Sequence, residues 1–116
     1  MSELIPVRSF FTEFELEFSS EILIDWYNAS TQSVVLAGNA EITIKNFLNG
    51  IPYRLFVTQG PDGGNTITFT NDIKWPKGTT PILATTGDQT DIFTFIASRS
   101  VVFADCTSKF YYDDTP

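Results

Sequence analysis

Histidine is absent from this 116-residue chain, and cysteine occurs once, at Cys106. The first absence removes the commonest general base and the commonest transition-metal ligand. Neither a Ser-His-Asp nor a Cys-His centre can be assembled from such a sequence. A single cysteine excludes an internal disulfide and leaves a thiolate zinc site without partners. Basic residues are scarce as well: 7 stand against 14 acidic ones, for a formal net charge of −7. A surface of that sign repels a phosphate backbone, so nucleic acid is not an expected partner. No apolar run approaches the roughly 20 residues of a membrane-spanning helix, and the acidic start Met1-Ser2-Glu3 does not read as a signal peptide. Membrane is not an expected partner either.

What is abundant is phenylalanine, with 11 Phe in an aromatic content of 15%. Phe, Ile, Val and Thr suit a pleated, half-buried surface. Phe14-Glu15-Leu16-Glu17-Phe18 alternates, so Phe14, Leu16 and Phe18 are expected to face a core and Glu13, Glu15 and Glu17 to face water. Ile22 to Tyr27 is apolar on both faces and reads as a central strand. Ser33–Ala37 and Ala40–Lys45 flank Gly38-Asn39, a pair suited to a tight hairpin. Asn49-Gly50 marks a turn, and 60–64 (Gly-Pro-Asp-Gly-Gly) a loop. Further strands are expected at Tyr53–Val57, Thr66–Phe69, Ile82–Ala84, Ile92–Ile96, Val101–Phe103 and Phe110–Tyr112. The expected fold is all-β: an antiparallel β-sandwich, jelly-roll or Greek-key like, of roughly nine or ten short strands. Residues 1–12 read as an extended N-terminal arm, 13–112 as the single domain and 113–116 as a flexible tail.

Chemistry-bearing constellations are sparse. Asp88 with Asp91, or Asp25 with a glutamate, are nominal carboxylate pairs for glycoside hydrolysis, but no spacing places them in a cleft. Asp62, Asn65, Asn71 and Asp72 lack the alternation of oxygen ligands around a Gly that a calcium loop has, and turn formation accounts for Asp62 and Asn71. No catalytic, cofactor or metal residues are assigned, and an enzyme is not expected. Trp26, Trp75, Tyr111 and Tyr112 could stack on sugar rings, although core and interface positions also favour such residues. Cys106 reads as a small buried or interface side chain. So many aromatic rings in a small domain imply some apolar surface for another subunit, with Phe10, Phe11, Phe103, Phe110 and Tyr111 as candidate contacts.

One stretch carries a denser pattern. Tyr53-Arg54-Leu55, Val57-Thr58-Gln59 and Asp62-Gly63-Gly64 are followed by Thr66–Phe69. Then come Ile73-Lys74-Trp75-Pro76-Lys77-Gly78-Thr79-Thr80-Pro81 and Asp91-Ile92-Phe93-Thr94-Phe95. With Asp25-Trp26 and Ala40–Ile44 upstream, this order resembles a β-sandwich module of structural proteins in tailed-bacteriophage virions. The resemblance covers most of the chain and is dense from about residue 53. It implies a domain that commonly trimerises and is found in fibres, tail proteins and capsid-attached proteins.

Physical chemistry suggests what the motif does. Pro76 and Pro81 fix φ and stiffen an inter-strand connection. Gly78 is expected at a positive φ. Trp75 has the area to cover an open end of the fold. Asp91 is expected as a structural brace that accepts hydrogen bonds from amides of the 77–80 loop, and Phe93 and Phe95 alternate with it into the core.

The role implied is a decoration or cement protein on the capsid surface. It would be made in the host cytoplasm, would bind the major capsid protein or other virion proteins, and would act as a homotrimer. The alternative is a tail-fibre or receptor-binding domain that recognises host surface glycan.

Overall fold

The computed structural model describes residues 13–111, apart from the side chains of Lys109 and Tyr111. The expected arm at 1–12 with Phe10 and Phe11, Tyr112, the 113–116 tail and the Tyr111 side chain lie outside that description. Nine strands form in chain order: β1 (Phe14–Glu15), β2 (Glu21–Asp25), β3 (Thr31–Leu36), β4 (Ala40–Lys45), β5 (Pro52–Gln59), β6 (Ile67–Phe69), β7 (Ile73–Lys74), β8 (Gln89–Ser98) and β9 (Val101–Tyr111). A single 3-10 turn, Pro76–Gly78, is the one helical element among the described residues. The strands make two sheets: a larger one in the order β1-β3-β5-β8-β9-β7 and a smaller one in the order β2-β4-β6. The fold is all-β.

From β1 to β6 the chain alternates between the sheets, odd strands joining the larger and even strands the smaller. Neighbours in each sheet therefore run the same way, as in β1–β3, β3–β5, β2–β4 and β4–β6. Antiparallel pairing is confined to β5–β8 and β8–β9, so the larger sheet is mixed and the smaller one parallel, where antiparallel sheets were expected. The deciding point is Gly38-Asn39. A two-residue hairpin needs positive φ at one or both central positions, and neither residue has it. The link carries the chain from one sheet to the other instead, with Gly38 against the Phe18 ring and the Asn39 carboxamide oxygen accepting from Thr66 N–H at 2.9 Å.

Four other expectations need correction. Of the 14–18 run only Phe14–Glu15 is a strand, and Phe14, expected to face a core, is exposed, while Leu16 and Phe18 are half-buried. Strand β2 is an edge strand, and Leu23, which a central strand would bury on its second face, is 55% exposed. Residues 82–84 are not a strand; they form a connection whose Leu83 and Ala84 are buried. Val101 to Tyr111 is one long strand rather than two. The Asn49-Gly50 turn forms, with Ile51 N–H donating to the Leu48 carbonyl and Gly50 at φ 82°, the geometry that glycine permits.

Both sheets contribute to one hydrophobic cluster. Ile22, Ile24, Ile42 and Ile44 come from the smaller sheet, and Val34, Leu36, Leu55, Val57, Phe93 and Phe95 from the larger. Links that cross between sheets leave the backbone ladder, and their polar groups need other partners. Two buried glutamines supply them. Gln32 Nε2 donates to the carbonyls of Asp25 and Ala29. Gln59 Nε2 donates to the carbonyls of Asn65 and Ala84, while its oxygen accepts from Asn65 N–H.

Candidate functional site

The motif residues converge at one end of the larger sheet. Strand β7 delivers Trp75 beside Phe69, at 5.7 Å between ring centroids, and Trp75 meets Phe93 and Phe95 edge-on at 6.0 and 6.5 Å. Phe93 and Phe95, inward on β8, are fully buried and stack at 6.2 Å. These separations suit edge-to-face and offset ring packing. After Trp75 the chain turns through Pro76–Gly78, with Lys77 and Gly78 both in the left-handed region at φ 58° and 72°. Gly78 thus has the backbone angle its identity suggested. Pro81 is half-buried where the turn rejoins the body.

Asp91 is 1% exposed, and its Oδ2 accepts the Ala84 N–H at 2.8 Å. The brace is therefore real, but it holds the 81–85 connection and not the 77–80 loop. The reason lies in register: Asp91 is opposite Val57 on β5, beside Gln59, whose amide grips the same Ala84 through its carbonyl. Ala84 is bound on both backbone groups by side chains from two neighbouring strands.

A groove of 410 Å³ opens beside this cluster, lined by Thr68, Asp72, Trp75, Gly78 and Thr80 among others. Asn71, at its margin, spends its amide on Ile44, donating to the carbonyl at 2.9 Å and accepting from the N–H at 2.8 Å. Asp72 pairs with Lys74 at 3.4 Å. Among the described residues no three His, Cys, Asp or Glu side chains converge as a metal site. Asp88 sits exposed in a turn, away from the burial of Asp91.

The other notable surface is the outer face of the larger sheet. Its rows are set by register: Pro52–Ile96–Phe103, then the polar Thr31–Arg54–Thr94–Asp105, then Ser33–Phe56–Ile92–Thr107, then Val35–Thr58–Thr90–Phe110. Thr58 and Thr90 share a hydroxyl hydrogen bond of 2.8 Å. A bulge in the β8–β9 pairing lets Phe110 lie opposite Thr90. Val35, Phe103 and Phe110 are 59%, 46% and 45% exposed. Of the contact residues suggested by sequence, Phe103 and Phe110 are therefore on one solvent-facing sheet surface. Sequence reasoning missed Val35, Phe56 and Ile92 there. The signal was available, since Leu55-Phe56-Val57 and Ile92-Phe93 are apolar on both alternating sets, which in an otherwise polar-faced sheet means two buried or partnered faces.

Asp25 and Cys106 are the titratable groups whose surroundings act on them most clearly. The Asn46 amide, 2.7 Å from Asp25 Oδ1, and the Tyr27 N–H hold the Asp25 carboxyl below its ordinary value, with Lys45 adding to the effect. Burial pushes the Cys106 thiol up, against a hydrogen bond with Ser108. A protonated thiol is a weak nucleophile at neutral pH. No described helix is long and apolar enough to cross a membrane. No protein-family model, curated protein or solved structure matches the chain.

Proposed function

We propose that this chain is a non-enzymatic structural protein of a tailed-bacteriophage virion, a decoration or cement protein that binds the capsid surface and stabilises capsomers. Its two sheets would pack as a β-sandwich, and three copies would associate. The observation that carries the reading is the outer face of the larger sheet, where Val35 and Phe110 are exposed at one end and Ile96, Val101 and Phe103 at the other, with the polar row Thr31–Arg54–Thr94–Asp105 between them. Groups of large exposed apolar side chains on a small domain mark contact with another protein. A stable contact of this kind covers on the order of 800 Å² per partner, which a face four strands wide can supply. The order of Trp75, Pro76, Gly78, Pro81, Asp91, Phe93 and Phe95 supports the virion origin, and their packing gives a rigid end to the domain.

On this reading the mechanism is passive. Contacts to the major capsid protein bridge neighbouring capsomers and oppose the pressure of packaged DNA. Purified protein added to heads that lack it should slow DNA loss on heating. Heads that leak at the same rate with and without saturating protein would overturn the proposal.

A second reading has its own observation. Half-buried Trp75 lines an open groove with Asp72, Thr68 and Thr80, a combination of aromatic face and polar rim that suits a sugar ring. It would make the domain a tail-fibre or receptor-binding head for host glycan. A glycan array with clear hits that Trp75→Ala abolishes would favour it.

A further inference from the structure

The turn at 48–51 is chemically labile and yet tied down at several points. Of the six asparagines, Asn49 alone is followed by glycine, and both Asn49 and Gly50 are exposed. A Cβ at Gly50 would meet nothing within 4 Å, and no side chain there shields the backbone nitrogen. Such a pair favours deamidation. The Gly50 nitrogen attacks Asn49 Cγ, the new C–N bond closes a five-membered imide, and the side-chain nitrogen leaves as ammonia with the proton from the Gly50 amide. Water then opens the imide. Attack at the side-chain carbonyl gives aspartate, and attack at the main-chain carbonyl gives isoaspartate, whose backbone is longer by one carbon.

In the folded chain the groups of that first step are held. Gly50 N–H donates to the Ala97 carbonyl at 2.7 Å, so the nucleophilic nitrogen keeps its proton engaged with β8. Asn49 Oδ1 accepts the Ser100 N–H at 3.0 Å, which ties the carboxamide to the tip of the β8–β9 hairpin. Leu48 N–H donates to the Tyr53 hydroxyl at 3.0 Å and anchors the start of the turn. Imide closure needs Asn49 to rotate and the Gly50 amide to give up its proton, and these bonds oppose both. We propose that Asn49 is the chain's site of spontaneous deamidation and that these three hydrogen bonds gate it, so that the reaction runs only from molecules in which the 48–51 turn has swung away from the hairpin. Either product sets a new carboxylate next to the Arg99-Ser100 tip, and isoaspartate also takes Gly50 N–H out of line with Ala97. The exposed Leu48 and Ile51 sit on the same turn, beside the Ile96 and Val101 end of the outer face, so the modification alters the surface there whatever partner covers it.

The test follows the full-length protein over time at mildly alkaline pH, folded in buffer and unfolded in guanidinium chloride. Trypsin, cutting after Lys45 and Arg54, releases residues 46–54. Tandem mass spectrometry of that peptide separates Asn49 from Asn46, and isoaspartate elutes as its own peak. Asp62-Gly63 forms the same imide by losing water and regains its original mass, so a mass gain reports asparagine only. The expected result in the unfolded chain is deamidation at Asn49 ahead of every other asparagine. In the folded chain it should be slower by about tenfold or more, as two or three hydrogen bonds of ordinary net strength imply. Tyr53→Phe keeps the Asn49-Gly50 pair and the stacking on Trp26 but removes the acceptor for Leu48 N–H. It should speed the folded-state reaction severalfold and leave the rate in denaturant unchanged. Equal rates in the folded and unfolded wild-type chains would overturn the gate, as would a folded Tyr53→Phe chain that deamidates no faster. If that variant does not fold, the wild-type ratio decides alone. A faster reaction at another asparagine in denaturant, or none at Asn49, would overturn the site.

Discussion

Asp25 ties together the end of β2, the start of the 25–32 link and the end of β4. Its Oδ1 accepts from Tyr27 N–H at 2.9 Å and from Asn46 Nδ2 at 2.7 Å, while its backbone carbonyl accepts from Gln32. Asn46 reaches it from a left-handed backbone position, φ 69°, which Asn tolerates better than most residues. These bonds favour the ionised carboxylate and lower its pKa in the folded state. The stabilisation is therefore fully present above the unfolded value, about pH 4, and is lost as pH falls through the lower folded value. The side chain is partly open to solvent, which limits the effect to local order. Asn46→Gly keeps the backbone angle and removes the amide, and it should move the Asp25 midpoint up towards the ordinary carboxylate value. A carboxyl-carbon NMR titration measures it, and an unchanged midpoint would show that Asn46 does not hold this group.

Among the elements, the connection from Pro81 to Gly87 depends most on side chains from elsewhere. It lacks a strand partner, yet Ala84 is wholly buried, with its N–H donating to Asp91 and its carbonyl accepting from Gln59. Gly87 passes so close to Pro61 that a Cβ there would lie 2.0 Å from the Pro61 carbonyl oxygen. Asp91→Ala strands a buried N–H and should cost about 1–3 kcal/mol, whereas Asp91→Asn keeps an acceptor and should cost less. Urea unfolding of both variants checks this, and equal losses would mean that charge, not the hydrogen bond, is what matters at Asp91. The positions of β2, β4, β5 and β8 were legible from runs of strand-favouring residues between turn signals, and Asp91 was legible as a brace. Partners were not. Whether Gly38-Asn39 turns back or crosses over depends on the room beneath Phe18 and the bond from Thr66 to Asn39, contacts made across 20 and 27 residues of sequence. The roles of Gln32 and Gln59 were hidden for the same reason. A polar residue near a strand end becomes a buried clamp only once a distant carbonyl is brought to it.

For the molecule as a whole, the parallel winding of β1 to β6 leaves the larger sheet with an outer face that the chain's described part does not cover. A monomer with −7 net charge gains solubility from its carboxylates, but Val35, Ile96, Phe103 and Phe110 remain in water. Burying them against a lattice of identical sites would reward many copies at once, as decoration of a capsid requires. The sequence showed an excess of Phe, and the sheet register shows where part of that excess lies. The most direct test of the proposed virion role is a cryo-EM reconstruction of the phage particle to which this chain is proposed to belong. The account predicts its density at repeated, symmetry-related positions over the head, with the outer face of the larger sheet against a neighbouring subunit. Density confined to the tail, or a head-bound domain with that face turned to solvent, would contradict it.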